Sequence, residues 1–338
     1  MVGTIVASII IFGLLIFVHE LGHFIVARLT GIRVLEFAIG FGKELIGWEK
    51  GDTRYTLRIF PLGGFCKMLG EDAEDAVTEG SFQEKPVLHR LAVIGAGSFM
   101  NFILAALLFA LLYFFFLGVP QAGTTEIGQI IEGGPAEQAG IQPGDTVVAI
   151  NDVETNKWED VVSIINTHPE REIELTLLRE GAYVTTSVVP RDDNGRGLIG
   201  IAPAMKKHAF FSSIFLGFSY TWYLIQLIFV SLFQMITGTI PADVAGPVGI
   251  VAVVGEVMQE GLSNLISLAA IISVNLGIIN LLPIPALDGS RMVFLVLEGI
   301  RGKPVDPQKE GFIHFIGFTL LILLMIFVAF QDISRLVF

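Results

Sequence analysis

The chain has 338 residues, of which 53% are hydrophobic and only 16% charged, and its mean hydropathy is +0.70. This composition excludes an ordinary soluble globule and places the chain among membrane proteins. A net charge of −12 argues against nucleic acid as a partner, and the single cysteine, Cys66, excludes an intrachain disulfide.

The opening stretch, residues 1–30, reads as a first transmembrane helix through TIVASIIIFGLLIFVHELGHFIVARL. About 20 apolar residues cross a bilayer. A cleaved signal peptide does not fit, because the stretch lacks a basic leader region and is too long, so it is expected to be a permanent span. Within it stand His19, Glu20 and His23. An ionisable side chain deep in hydrocarbon costs on the order of 3 kcal/mol or more and points to function. The order is H-E-x-x-H. On a helix, positions i and i+4 share a face, so both imidazoles can reach one ion, while Glu20 beside the first can act as general base on a water.

Residues 31–90 are punctuated by Gly40, Gly42, Gly47, Gly51, Gly63 and Gly64 and read as β-hairpins. Extended backbone beside a membrane motif suggests a re-entrant sheet lining the way to the site; a plain cytoplasmic hairpin fits the pattern equally. Basic residues from Arg28 to Arg90 put this region on the cytoplasmic side. Residues 71–86 form a polar, acidic loop. A second transmembrane helix, 91–118, begins with the small residues Gly95, Ala96, Gly97 and Ser98, which permit close helix packing. Its Asn101 suits an interhelical hydrogen bond and is able to approach the metal site.

Residues 119–205 form a soluble insert, and the acidic character of 121–201 puts it on the far side of the membrane. Its PAEQAGIQPGDTVVAIN resembles a PDZ domain, and the later GLIGIAP resembles the strand edge of circularly permuted bacterial PDZ domains. The resemblance implies that Leu198, Ile199, Gly200 and Ile201 border a groove taking an extended peptide or free C-terminus by strand addition. A closed groove acting only as a steric plug remains the alternative.

Residues 206–262 are expected to be interfacial helices. The run 210–237 is long enough to span, but parity between the insert and the next span favours its lying along the membrane interface, a depth that suits Tyr220, Trp222 and Tyr223. GPVGI, 246–250, marks a turn before an amphipathic run. Residues 263–300 are expected to be a third transmembrane helix, interrupted by Pro283 and Pro285 just before Leu287-Asp288-Gly289. Residues 301–338 hold a basic loop and a fourth transmembrane helix.

Catalytic zinc takes three protein ligands and leaves a position open. His19 and His23 supply two. The first span runs from outside to inside, and so does the third, which puts Asp288 at a depth like theirs and makes it the third ligand. The remaining histidines, His89, His168, His208 and His314, suit surface or packing roles.

HELGH in the first span, FPLGGFCKM after it, the PDZ-like insert and NLLPIPALDG near the end resemble the site-2 protease family of intramembrane zinc metalloproteases, in particular its bacterial branch acting on anti-sigma factors. The resemblance implies Zn2+ held by His19, His23 and Asp288, with Glu20 as catalytic base. It also implies that Asn280 helps to hold the substrate backbone, and that Gly40, Phe41, Gly42, Leu62, Gly63 and Gly64 lie in a β-region presenting an edge strand to the substrate. Several members carry two tandem PDZ domains where this chain has one. The expected fold is a polytopic α-helical membrane protein with about four transmembrane helices, a membrane-associated β-region and one inserted PDZ domain (α+β). Its expected place is the bacterial cytoplasmic membrane, with the PDZ domain outside and the site towards the cytoplasm. Expected partners are the lipid bilayer and single-pass membrane proteins trimmed beforehand by another protease. The rival reading is an inactive, membrane-tethered PDZ adaptor with a structural metal.

Overall fold

A computed structural model describes residues 2–71, 78–120, 124–240 and 246–337, without the side chains of 61–62, 119–120, 307 and 336–337. Parts of the expected acidic loop (72–77) and of the expected PDZ insert (121–123) therefore lie outside the described residues. The chain divides into a unit formed by Met1–Leu112 with Phe211–Phe338, and a second unit, Tyr113–Phe210.

The first unit opens with α1 (Val2–Leu29), followed by β1 (Val34–Lys50), β2 (Thr53–Met68) and α2 (Val87–Phe115). β1 and β2 make one long hairpin rather than several short ones. Glycines at positive φ bend it, Gly40 at 88° and Gly42 at 85° in β1 and Gly63 at 117° in β2, a region that residues with a Cβ avoid. The bends fold the hairpin back on itself. Residues 36–39 pair with 64–67 on one side and with 54–57 on the other, while 44–50 pair with 53–58. Among the described residues, the strand partners of 64–66 lie only at the start of β1, so this part of β2 keeps an open edge.

The second unit contains β3 (Gly118–Pro120), β4 (Ile127–Ile130), α3 (Pro135–Gln138), β5 (Thr146–Ile150), β6 (Val153–Glu154) and α4 (Trp158–Asn166). β7 (Ile173–Arg179), β8 (Ala182–Val188), β9 (Arg191–Asp193), β10 (Arg196–Leu198), β11 (Ile201–Pro203) and β12 (Met205–Lys207) complete it. A four-stranded sheet of order β6-β5-β7-β8 carries the alternating apolar faces of β5 and β7, and β11 pairs with β4. Ile127, Val147, Ile150, Val161, Ile173, Leu175 and Leu177 close a core with α4. Each such side chain contributes about 1.5–3 kcal/mol on burial.

The first unit resumes with α5 (Phe210–Ile236), α6 (Pro247–Glu260), α7 (Leu262–Leu281), α8 (Asp288–Arg301) and α9 (Pro307–Val337). By length and composition, five described helices are able to cross a membrane: α1, α2, α5, α7 and most of α9. Of these, α5 is the one expected to be interfacial. It buries Ser213, Gly217, Thr221 and Leu224 along one face, and a Cβ on Gly217 would stand 2.3 Å from the Ala106 carbonyl oxygen of α2. Small residues let the two backbones meet. Residues 263–300, expected as one span, are two helices. Pro283 and Pro285 end α7, and the charged, amphipathic α8 starts afresh at Asp288. α9 leaves Phe312, Phe315, Phe318, Phe327 and Phe330 exposed, as lipid contact requires.

Asp145, in the turn before β5, accepts two hydrogen bonds of 2.7 Å from Arg179 and one of 2.8 Å from the Gln142 N–H. The Arg179 guanidinium holds the Asp145 carboxyl below the usual carboxylate range. Its pKa in the folded state thus lies under its unfolded value of about 3.9. The stabilisation is complete above that value and is lost as pH falls through the folded one. Hydrogen exchange across β5 and β7 of the full chain is expected to accelerate on going from pH 6 to pH 3, after correction for intrinsic rates. Asp145→Asn should show the faster exchange already at pH 6; equal protection in the two proteins would remove the pair from the account.

Candidate metal centre and active site

α1 holds His19 and His23 one helical turn apart, and Asp288 opens α8. The three meet. His19 Nε2 lies 3.1 Å and His23 Nε2 lies 3.4 Å from Asp288 Oδ2, and the two Nε2 atoms are 3.2 Å apart. Ligands about 2.0–2.1 Å from a tetrahedral zinc stand about 3.3 Å from one another. The triangle therefore has the edges such an ion needs. Asp288 Oδ2 is enclosed and receives no well-directed hydrogen bond among the described residues. An unmet buried acceptor costs about 1–3 kcal/mol, and a cation between these atoms would remove that cost.

The neighbours of the triangle prepare it for an ion. His23 Nδ1 donates to the Val93 carbonyl oxygen at 2.9 Å, which leaves the lone pair of Nε2 free. Gly97 of α2 faces the two rings so closely that a Cβ would stand 2.4 Å from His23 Nε2 and 2.7 Å from His19 Nε2. A Cβ on Gly22 would lie 2.4 Å from the Ala96 carbonyl oxygen. Two glycines thus let α1 and α2 approach at the level of the ligands.

Asp288 is placed by the break that precedes it. Ala286 adopts φ 78°, a left-handed conformation unusual for alanine and costing about 1–3 kcal/mol. Its N–H donates to His314 Nδ1 at 3.0 Å, and a Cβ on Gly317 of α9 would stand 2.2 Å from the Cβ of Pro285. α9 therefore braces the loop. Gly289 matters as well, since a Cβ there would stand 2.3 Å from the Leu282 carbonyl oxygen.

Glu20 is half-buried and lies beside the hairpin: a Cβ on Gly64 would be 3.4 Å from Glu20 Cγ. Of the other residues singled out from the sequence, Gly63 and Gly64 thus stand close to Glu20. Phe41 covers Gly63, where a Cβ would come within 1.9 Å of the Phe41 ring. Gly40 and Gly42 lie at the bend against Arg58 to Phe60. The side chain of Leu62 lies outside the described residues. Asn280 is half-buried in the last turn of α7, and its side chain makes no hydrogen bond among the described residues. In the second unit, Leu198, Ile199, Gly200 and Ile201 border a groove of about 70 Å³ against Trp158, Val161, Val162 and Ile165 of α4. His314, expected in a surface or packing role, braces the loop before Asp288.

Asp288 also forms part of the wall of a cavity of about 890 Å³ whose other walls carry Glu71, Arg90, Arg291, Glu298, Glu310 and His314. Arg90 pairs with Glu298, and Arg291 with Glu71. Gly97, the Val93 carbonyl and the Glu71–Arg291 pair were not marked by any sequence pattern specific to them. The one signal was the small-residue run at the start of α2.

The sequence profile described as Peptidase family M50 matches residues 7–324. A relative from Bacillus licheniformis, zinc metalloprotease RasP, is 36% identical over 419 aligned residues, covering 99% of each chain. That alignment is longer than this chain, so the relative carries a stretch with no counterpart here. The regulator of sigma-W protease RasP of Bacillus subtilis is 35% identical, again over 99% of each chain. Among solved structures, the PDZ domain of an SdrC-like protein from Listeria monocytogenes, 14% identical, matches over 26% of this chain and 93% of its own with a TM-score of 0.22. The chain belongs to Peptidase family M50 and is a multi-pass zinc metalloprotease.

Proposed function

We propose that His19, His23 and Asp288 hold the zinc ion of this protease, that Glu20 is its general base, and that it cuts peptide bonds within or next to the membrane segments of single-pass proteins. The triangle of ligand atoms carries this reading. Bound there, zinc supplies a Lewis acid that polarises a carbonyl and brings the pKa of water to about 7. Glu20 takes the proton of the attacking water and passes it to the leaving amine. The cavity beside Asp288 gives water a polar approach, which the apolar outer faces of the helices deny.

A substrate helix hides its amides in internal hydrogen bonds, so the scissile segment must be unwound. The open edge of β2 near Gly63 and Gly64, next to Glu20, can pair with that segment in extended form. Asn280 is assigned to hold the substrate backbone, on family resemblance. Because a relative is named for regulating sigma-W, anti-sigma factors belong among the substrate classes to try.

The reading places the chain in the cytoplasmic membrane with the PDZ-like unit outside. α6 supports a four-crossing arrangement. Its N-terminal Gly246 and Gly249 donate to Asp332, and Gly255 lies on Thr4. Thr4 is about 22 Å from His19 along α1, at 1.5 Å per residue. α6 thus sits on the outer side. The few residues between Ile236 and Gly246 reach at most about 35 Å fully extended. A complete crossing by α5 would leave them scarcely able to return, so α5 is assigned to the outer side.

Three experiments test the reading. Glu20→Gln should keep zinc and lose cleavage by about 100-fold or more. Retained cleavage would remove Glu20 from the base role, while loss of zinc together with cleavage would make Glu20 part of what holds the metal. Gly97→Ala should lower zinc content at least about 10-fold, since it drives a methyl between the ligands; parent-level zinc would contradict that close approach. Deleting residues 123–203 should allow cleavage of substrates that still carry their ectodomains. If those remain uncut while trimmed ones are cut, the second unit is no size filter.

A further inference from the structure

We infer that Asn101 is the positioning residue that orients His19 and fixes the tautomer in which it binds metal, an inference that rests on the zinc site proposed above. Asn101 sits on α2 one turn beyond Gly97, is fully buried, and has one end of its amide 3.2 Å from His19 Nδ1. His19 faces the ligand triangle with Nε2. A neutral imidazole that ligates through Nε2 carries its proton on Nδ1, and an N–H enclosed there needs an acceptor.

The acceptor is at hand. Asn101 Oδ1 is enclosed and has no hydrogen-bond partner among the described residues, while the NH2 end is the one turned towards Nδ1. In that orientation the amide donates to Nδ1, and the ring proton sits on Nε2, facing Asp288. A half-turn of the amide exchanges its ends and presents Oδ1 to an Nδ1–H. One rotation therefore pairs both the unmet oxygen and the ring N–H of the metal-binding tautomer. His23 has the equivalent partner in the Val93 carbonyl, two turns earlier on the same helix. α2 thus serves both imidazoles.

A purely structural role is already filled by another atom. The Ser273 hydroxyl of α7 donates to the Asn101 backbone carbonyl at 2.8 Å and ties the two helices together without the amide. This separates the readings experimentally. Zinc affinity of the purified full chain in detergent, measured by competition with a chromogenic chelator, should fall about 10–100-fold in Asn101→Leu. Asn101→Asp, whose carboxylate still accepts from Nδ1–H, should stay near the parent, as should Ser273→Ala. Parent-like affinity in Asn101→Leu, equal losses in Asn101→Leu and Asn101→Asp, or an equal loss in Ser273→Ala would each overturn the inference. If the leucine variant does not fold, Asn101→Ala takes its place under the same criteria. His23→Ala run alongside should abolish binding at this site. Should it bind zinc like the parent, the metal lies elsewhere, and the site reading falls together with this one.

Discussion

Two imidazoles and a carboxylate held within 3.1–3.4 Å of one another, among apolar helices, are the constraint to which the rest of the first unit answers. Isolated in hydrocarbon, each such group is costly. Brought together they form a site able to hold a divalent cation, which would offset the cost that each bears alone. The groups come from opposite ends of the chain, and neither end can hold the geometry by itself. α1 needs α2 pressed against it through Gly22 and Gly97, and Asp288 needs a proline-broken loop braced by His314 and Gly317.

Around this centre the hairpin bends at three glycines, which leaves 64–66 as an edge close to Glu20. In the second unit, β11 is paired with β4 and borders a groove lined by α4. The proposed function asks both places to take an extended peptide by adding a strand, which would replace the hydrogen bonds an unwound substrate gives up. Among the described residues of the first unit, Ala286, in the loop before Asp288, is the one non-glycine residue at positive φ.

Much of the chemistry was legible in one dimension. HELGH carries its meaning in helical periodicity, since i and i+4 share a face wherever the helix is built. The ionisable residues stand out because their surroundings are apolar. Pro283 and Pro285 announce a broken helix whatever its neighbours. The span count was harder to read. Residues 210–237 are apolar enough to cross, and composition cannot distinguish a crossing helix from one that buries Ser213, Gly217 and Thr221 against α2. The hairpin was anticipated as short pieces, because sequence alone does not say that 36–39 would be paired on both sides.

By itself, then, the sequence determined which side chains are able to bind metal, the common helix face of the two histidines, the place where the late helix must break, and the presence of an insert large enough for its own apolar core. Only the tertiary structure decided that Gly97 lies against the imidazoles, that Asn101 reaches His19 Nδ1, and that Glu20 meets Gly64. The physical reason is that periodicity and propensity act over one or two helical turns. The approach of two backbones is decided by the atoms of both, which are distant in the chain and carry no mark of each other.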